Sequence, residues 1–191
     1  MLAYYSYYKK TDMNTHTEFD KQPELEDATI SIVPLKADDF DALYAVASDP
    51  LIWEQHPNKD RYQKNVFKTF FEGAMDSKGA FLVLDKKTGA IIGSSRYYDL
   101  ETDSIAIGYT FIGRQFWGRQ YNTSLKKIMI EHAFQYVHAV IFHIGSENIR
   151  SQRAIEKLGA TKIGEIDVAY YGEPIKPNFI YQITQDAWLK K

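Results

Sequence analysis

Ser104-Ile105-Ala106-Ile107-Gly108-Tyr109-Thr110-Phe111-Ile112, then Gly113-Arg114-Gln115-Phe116-Trp117-Gly118-Arg119-Gln120, then Tyr121-Asn122-Thr123-Ser124-Leu125-Lys126 is the stretch on which the fold turns. It reads strand, short loop, long helix. The first nine residues are rich in β-branched and aromatic side chains, as a strand is. The helix runs to about Val137. Leu125, Ile128, Met129, His132 and Tyr136 form one stripe on it, and Ile130, Phe134 and Val137 form a second. Burial on two sides is expected of a helix packed on a sheet. The start of such a helix carries unpaired backbone N–H groups and partial positive charge, so it can hold a phosphate or pyrophosphate. Gly118 allows close approach of the backbone, and Arg114 and Arg119 add charge. No Gly-Lys-Ser/Thr follows and three spaced glycines are absent, so this is neither a P-loop nor a dinucleotide fingerprint.

Working outward, Ala139 to Ile144 is a continuous apolar run, the type of strand covered on both faces. His143-Ile144-Gly145-Ser146-Glu147-Asn148 closes it and opens a helix over Asn148 to Leu158, with Ser146 as the expected cap and Gly159 as its C′ glycine. Two last strands, Ile163 to Tyr170 and Asn178 to Thr184, flank Gly172-Glu173-Pro174. Upstream, Thr29 to Leu35 reads as a strand. A helix capped by Asp38 carries Phe40, Leu43, Tyr44 and Ala47, and ends at Asp49-Pro50. Ile52 to Arg61 is irregular, and Gln63 to Met75 is a second helix. Ala80 to Leu84 and Ala90 to Tyr98 are strands joined through a loop ending in Gly89. The order β-α-α-β-β-β-α-β-α-β-β is that of a mixed α/β sheet with at least one parallel pair around the long helix.

The 191 residues suit one domain, and 45 % of them are apolar. A net charge of −2 argues against a nucleic-acid partner. With no cysteine there is no disulfide, thiolate nucleophile or cysteine-based zinc site, which suits a reducing compartment. No apolar run approaches the roughly 20 residues that span a bilayer, and the N-terminus lacks a signal-peptide core. The chain is read as soluble and cytoplasmic, without a membrane partner or a metal constellation. Residues 1–27, with Tyr4, Tyr5, Tyr7 and Tyr8 clustered near the start, read as a mobile or surface extension of a domain over 28–191. The other reading is an arm docking on the body or on a second subunit in a homodimer.

Asn148-Ile149-Arg150-Ser151-Gln152-Arg153-Ala154-Ile155-Glu156-Lys157-Leu158-Gly159-Ala160 closely resembles the Asn-x-x-Ser…Glu-Lys-Leu-Gly-Phe/Ala segment of the RimJ/RimL-like GNAT acetyltransferases. The run Trp117 to Lys126 resembles that family's Trp-Gly-x-Gly-Tyr-Ala/Asn-Thr-Glu-Ala-Lys. Ile32-Val33-Pro34-Leu35, Asp38 to Leu43, Ser48-Asp49-Pro50 and Ile107-Gly108-Tyr109-Thr110 are similar to its other landmarks, in order. The resemblance spans Thr29 to Thr184. It implies a mostly antiparallel seven-stranded sheet whose central parallel strands splay, with helices on both faces. It implies acetyl-CoA as cosubstrate and direct transfer to an amine on a small molecule or a protein N-terminus.

By matching position, the resemblance gives the CoA pyrophosphate to the loop and helix start, from Arg114 through Trp117, Gly118, Arg119, Gln120, Tyr121 and Asn122 to Thr123. It gives the pantetheine arm to the backbone at Phe111 and Ile112 and to Asn148. Ser151 would lie by the sulfur and assist the departing thiolate. Gln120 stands where the family has a second glycine, Ser124 where it has a Glu, and Ala106 where many members have a Glu. Ile155 matches the general-acid Tyr of other GNAT groups. With the usual base missing, His56 and Glu54 are the best side-chain candidates for deprotonating the amine. His132 and His138 read as structural, His143 as cleft wall, and Tyr97, Tyr98 and Tyr109 as pocket-lining or packing residues. A non-catalytic CoA-binding module and a ribosome-associated protein are the alternatives.

Overall fold

The computed structural model describes residues 18–169 and 174–190. The strands are β1 (Leu25–Glu26), β2 (Ile30–Pro34), β3 (Ala80–Asp85), β4 (Ile91–Tyr98), β5 (Ser104–Ile112), β6 (Ala139–Gly145), β7 (Thr161–Val168) and β8 (Lys176–Thr184). The helices are α1 (Phe40–Ala47), α2 (Lys64–Ser77), α3 (Tyr121–Ala133), α4 (Ile149–Glu156) and α5 (Gln185–Leu189). One sheet contains all eight strands in the order β1-β2-β3-β4-β5-β6-β8-β7. Among the described strands only β5 and β6 pair in parallel, and α3 supplies the crossover that such a pair needs.

The described sheet has eight strands rather than seven. The extra one is the two-residue β1, which pairs with β2 through Leu25↔Ile32 and Glu26↔Ser31. It lies inside the stretch read as an extension. There Phe19 is 9 % exposed, its ring edge-on to Tyr97 and Tyr136 at 5.2 Å from each. The tyrosine cluster at Tyr4 to Tyr8 lies outside the described residues, as does the turn glycine Gly172.

Two cores flank the sheet. One joins α3, α4 and the sheet through Leu125, Met129, Ile130, Phe142, Ile155 and Tyr181. The other joins α1 and α2 to the sheet through Leu43, Ala47, Phe67, Phe70 and Phe111. Leu125, Met129 and Ile130 on α3 are all buried, so both of its apolar stripes are used. The α-helical part of α3 ends at Ala133, short of Val137. At the start of α1, Asp39 rather than Asp38 receives a backbone N–H, that of Lys36 at 2.8 Å. The cap of α4 is Asn148, not Ser146: its Oδ1 accepts the N–H of Ser151 at 3.1 Å. One interatomic reach decides this, since a cap must meet N2 or N3 of its own helix.

Candidate active site

The parallel pairing of β5 with β6 covers Ser104–Ala106 and Ala139–Ile141. Beyond that point β5 stays with β4 and β6 stays with β8, so the sheet forks. A cleft of about 480 Å³ occupies the fork, within the usual size of small-molecule sites. A bulge in β5 helps to make it. Ser94 pairs with Phe111 and Arg96 with Gly108, which leaves two residues opposite Ser95. Tyr109 takes a left-handed backbone there, with φ of 52°.

One end of the cleft is the start of α3. Gly118 has φ of +74°, and a Cβ built on it would meet nothing within 4 Å. Gln120, where the family pattern has glycine, is also left-handed with φ of 65°. The turn keeps its shape at a cost of roughly 1–2 kcal/mol for a residue with a Cβ. No side chain among the described residues caps α3, and its first intrahelical bond is Ser124 N–H to Gln120 C=O. The amides of Tyr121, Asn122 and Thr123 therefore remain as donors at the cleft, which fits a pyrophosphate.

The sequence-assigned residues divide. Phe111, Ile112, Trp117, Gly118, Gln120, Tyr121, Asn122, Thr123, Asn148, Ser151 and His56 line the cleft. Arg114, Arg119 and Glu54 do not line it. Arg114 is held by Asp49, whose carboxyl it keeps below the usual range. Arg119 borders a separate shallow pocket with Asp85 and Thr88. Glu54 is exposed. In their place Arg150 lines the cleft, stacked 4.2 Å from the Trp117 ring and donating to the Ile52 carbonyl at 2.9 Å.

Lys126 also lines the cleft, and sequence spacing gave no sign of this because it sits among the apolar positions of α3. Its Nζ donates to Thr110 Oγ1 at 2.5 Å and to Ser95 Oγ at 3.4 Å. Burial holds its pKa down to about 7.

The opposite end is a chamber of Trp53, His56, Pro57, Tyr98, Tyr109 and His143. His56 Nδ1 accepts the Asn58 N–H at 3.0 Å, and Nε2 lies 3.1 Å from the Arg61 guanidinium. Burial first, then the Arg61 charge, hold its basicity well below that of a free histidine. Both ring nitrogens are thus engaged within the wall. Tyr97 and His132 belong to the core. The Tyr97 hydroxyl bonds to the Met129 carbonyl, and His132 Nε2 lies 3.0 Å from the Asp20 carbonyl. His138 pairs with Asp103 at the surface.

The model of the acetyltransferase (GNAT) domain matches residues 29–161, more than half of the chain. The chain belongs to the GNAT acetyltransferase family. Acetyl transfer from acetyl-CoA is the general chemistry of that family.

Solved GNAT structures share the fold. A GCN5-related N-acetyltransferase from Brucella melitensis superposes with a TM-score of 0.77 at 18 % identity, covering 90 % of this chain and 83 % of its own. RimJ from Mycobacterium smegmatis, solved with CoA-disulfide, has a TM-score of 0.64 at 15 % identity, covering 82 % of each chain. Spermidine N-acetyltransferase from Vibrio cholerae, solved with CoA and spermine, has a TM-score of 0.65 at 14 % identity, covering 85 % of this chain and 99 % of its own. At these identities the likeness concerns the fold.

Among the described residues no helix is long and apolar enough to cross a membrane. No group of three or more His, Asp or Glu side chains among them is placed to hold a metal ion.

Proposed function

We propose that this GNAT member is an acetyl-CoA-dependent N-acetyltransferase of the RimJ/RimL-like subgroup that transfers acetyl directly to a primary amine. The observation that carries the reading is the continuous cleft. It joins the uncapped start of α3 to the aromatic and histidine chamber through the fork between β5 and β6. Acetyl-CoA, when bound, supplies the activated acetyl thioester. The amides from Gly118 to Thr123 hold its pyrophosphate, and Arg150 adds positive charge along the cleft. The backbone at Phe111 and Ile112 aligns the pantetheine arm. Asn148 uses Oδ1 for its cap and offers its amide N–H groups to the same arm. The Ser151 hydroxyl gives a proton to the leaving sulfur, a role of roughly 10²-fold at the low end of general-acid effects.

The acceptor binds in the chamber of Trp53, Tyr98, Tyr109 and His143. Among the described cleft-lining residues there is no Asp or Glu, while Arg150 and Lys157 are cationic. This favours an acceptor with one amine, on a small molecule or a protein N-terminus, over a polycation, which such a wall would repel.

The test is CoA release from acetyl-CoA with a panel of free amines, N-terminal peptides and spermine. A monoamine or peptide is expected to turn over and spermine is not. Ser151→Ala is expected to lower kcat about 10²-fold with acetyl-CoA affinity within a few fold; full activity would remove Ser151 from the chemistry. A non-catalytic CoA-binding module is favoured by one observation. Ala106, where many members carry a Glu, is buried against Tyr98 and Ile141 and offers no carboxylate. Acetyl-CoA binding without turnover of any amine would establish that reading instead.

A further inference from the structure

Three strands meet at the mouth of the fork, and side chains from the outer two form a bridge to which the acetyl-transfer reading gives no chemical role. Tyr98 ends β4 and pairs with Ala106, the last residue of β5 that still touches β6. His143 lies two residues past Ile141, the β6 partner of Ala106. Between them, on β5, stands Gly108. A Cβ there would come within 2.9 Å of Tyr98 Cε1 and 3.1 Å of its hydroxyl. Real Cβ atoms do not approach that closely, so the Tyr98 ring crosses β5 because residue 108 has no side chain. The crossing brings the Tyr98 hydroxyl to His143 Nδ1 at 3.1 Å.

The bridge is held from several sides. Tyr109, turned by the bulge, packs edge-on to the Tyr98 ring at 5.0 Å, and the Arg96 guanidinium lies 3.9 Å over the Tyr109 ring. Ile180 of β8 is the register partner of His143. Asp99 is the charge that acts on His143. Burial outweighs it and keeps the imidazole neutral more readily than a free histidine. Tyr98 and His143 both line the cleft at its acceptor end.

We infer that Tyr98 and His143 form the proton exit of the transfer, with the Tyr98 hydroxyl as the group that meets the acceptor amine and His143 as the relay partner behind it. The inference rests on the acetyl-transfer reading above. The acceptor arrives as an ammonium ion. One of its protons passes to the Tyr98 oxygen while the Tyr98 proton passes to His143 Nδ1, which leaves the amine neutral and the tyrosine unchanged. The amine lone pair forms the N–C bond. The C–S bond then breaks with its electron pair on sulfur, and the second nitrogen proton ends on that sulfur by way of Ser151. The imidazolium releases its proton to water and returns to its starting tautomer by exchange. The net release is one proton per acetyl transferred. His56, bonded to Asn58 and Arg61, is then a wall residue of the chamber and not the base.

Two variants and one spectroscopic measurement test this. With an amine that wild type acetylates, Tyr98→Phe and His143→Gln are each expected to lower kcat by about 10²-fold or more. The thermal shift caused by acetyl-CoA should be retained in both. In wild type the rate should fall on the acid side as His143 becomes protonated, below pH 6.5, and that limb should vanish in His143→Gln. Wild-type kcat and an unaltered acid limb in both variants would overturn the inference while leaving the N-acetyltransferase reading intact. A wild type that acetylates no amine would overturn that reading by itself. The relay is still tested in that case, by nitrogen-15 NMR of the histidine rings. The Nε2–H tautomer at His143, changing its Nδ1 shift in Tyr98→Phe, is the expected result. A His143 spectrum indifferent to Tyr98→Phe would exclude the relay whatever the activity.

Discussion

Lys126 is an amine placed where a helix would ordinarily bury an aliphatic side chain. Its amine has three donors and finds two hydroxyls, Thr110 Oγ1 and Ser95 Oγ, with the Phe142 ring 5.9 Å away. Burial lowers its pKa from 10.5 to about 7. Between those pH values the unfolded chain binds a proton that the folded one has lost, so stability rises with pH, by at most about 1.4 kcal/mol per unit. Below about 7 both states are protonated and the penalty is complete. Above 10.5 it is gone. Lys126→Met removes the titration and also two hydrogen bonds, so the sign of its effect at one pH is not the informative quantity. The expected result is that stability of Lys126→Met relative to wild type falls steadily from pH 7 to pH 10, read from urea unfolding midpoints. A pH-independent difference would mean that the amine stays charged in the folded protein.

At the scale of an element, α4 shows one residue serving fold and site together. Its eight residues start at Ile149, and Asn148 supplies the cap through Ser151 N–H. The helix is tied to the acceptor side by Arg150, whose N–H bonds Gln55 Oε1 at 3.0 Å while its guanidinium reaches the Ile52 carbonyl. Asn148→Ala therefore removes a cap as well as an amide facing the cleft. It is expected to cost about 1 kcal/mol of stability and to weaken acetyl-CoA binding. Asn148→Ser keeps a capping oxygen and loses the amide donor, so it should restore most of the stability but not the affinity. Thermal unfolding and a direct binding titration of both variants separate the two roles. Equal affinity in Ser and wild type would leave Asn148 as a cap alone.

At the scale of the whole molecule, ligand binding and chain packing feed one folding equilibrium. Acetyl-CoA at a hundred times its Kd should add about 2.7 kcal/mol to the native state. That corresponds to roughly 5–11 °C in Tm for a chain of this size. Gly118→Val should abolish the shift, because a branched side chain at φ of +74° is strained and stands where the pyrophosphate meets the backbone. No shift in wild type at millimolar acetyl-CoA would remove the cosubstrate assignment. The stretch ahead of β2 is part of the same equilibrium. Phe19 packs on Tyr97, His132 and Tyr136, and Gln22 Nε2 donates to the Ala80 carbonyl at 2.9 Å. Phe19→Ala is expected to cost about 3 kcal/mol, the range for emptying an aromatic site in a core. A loss under about 0.5 kcal/mol, the level of an ordinary surface change, would show that this stretch is not docked in solution.

The order and type of the elements follow from local signals, and these were readable in the chain itself. The apolar run at Ala139 to Ile144, the double stripe on α3 and the loop around Gly118 each depend on near neighbours, since periodicity and turn chemistry act over a few residues. The same holds for the family segment at Asn148 to Ala160. The tertiary structure alone decided which side chains face each other. Arg114 and Arg119 look like phosphate ligands by sequence distance, yet Asp49, 65 residues away from Arg114, holds that guanidinium outside the cleft. Nothing near Lys126 in sequence announces Thr110 and Ser95 on two separate strands. His56 was readable as a loop histidine, but its enclosure by Asn58, Arg61 and Trp53 comes from the folded loop. Tyr98 and His143 are 45 residues apart and meet because β5 lies between their strands with a glycine at the crossing. Chemistry at a site depends on distances of about 3 Å between remote residues. Such distances are fixed by strand register and sheet twist, which long-range pairing sets.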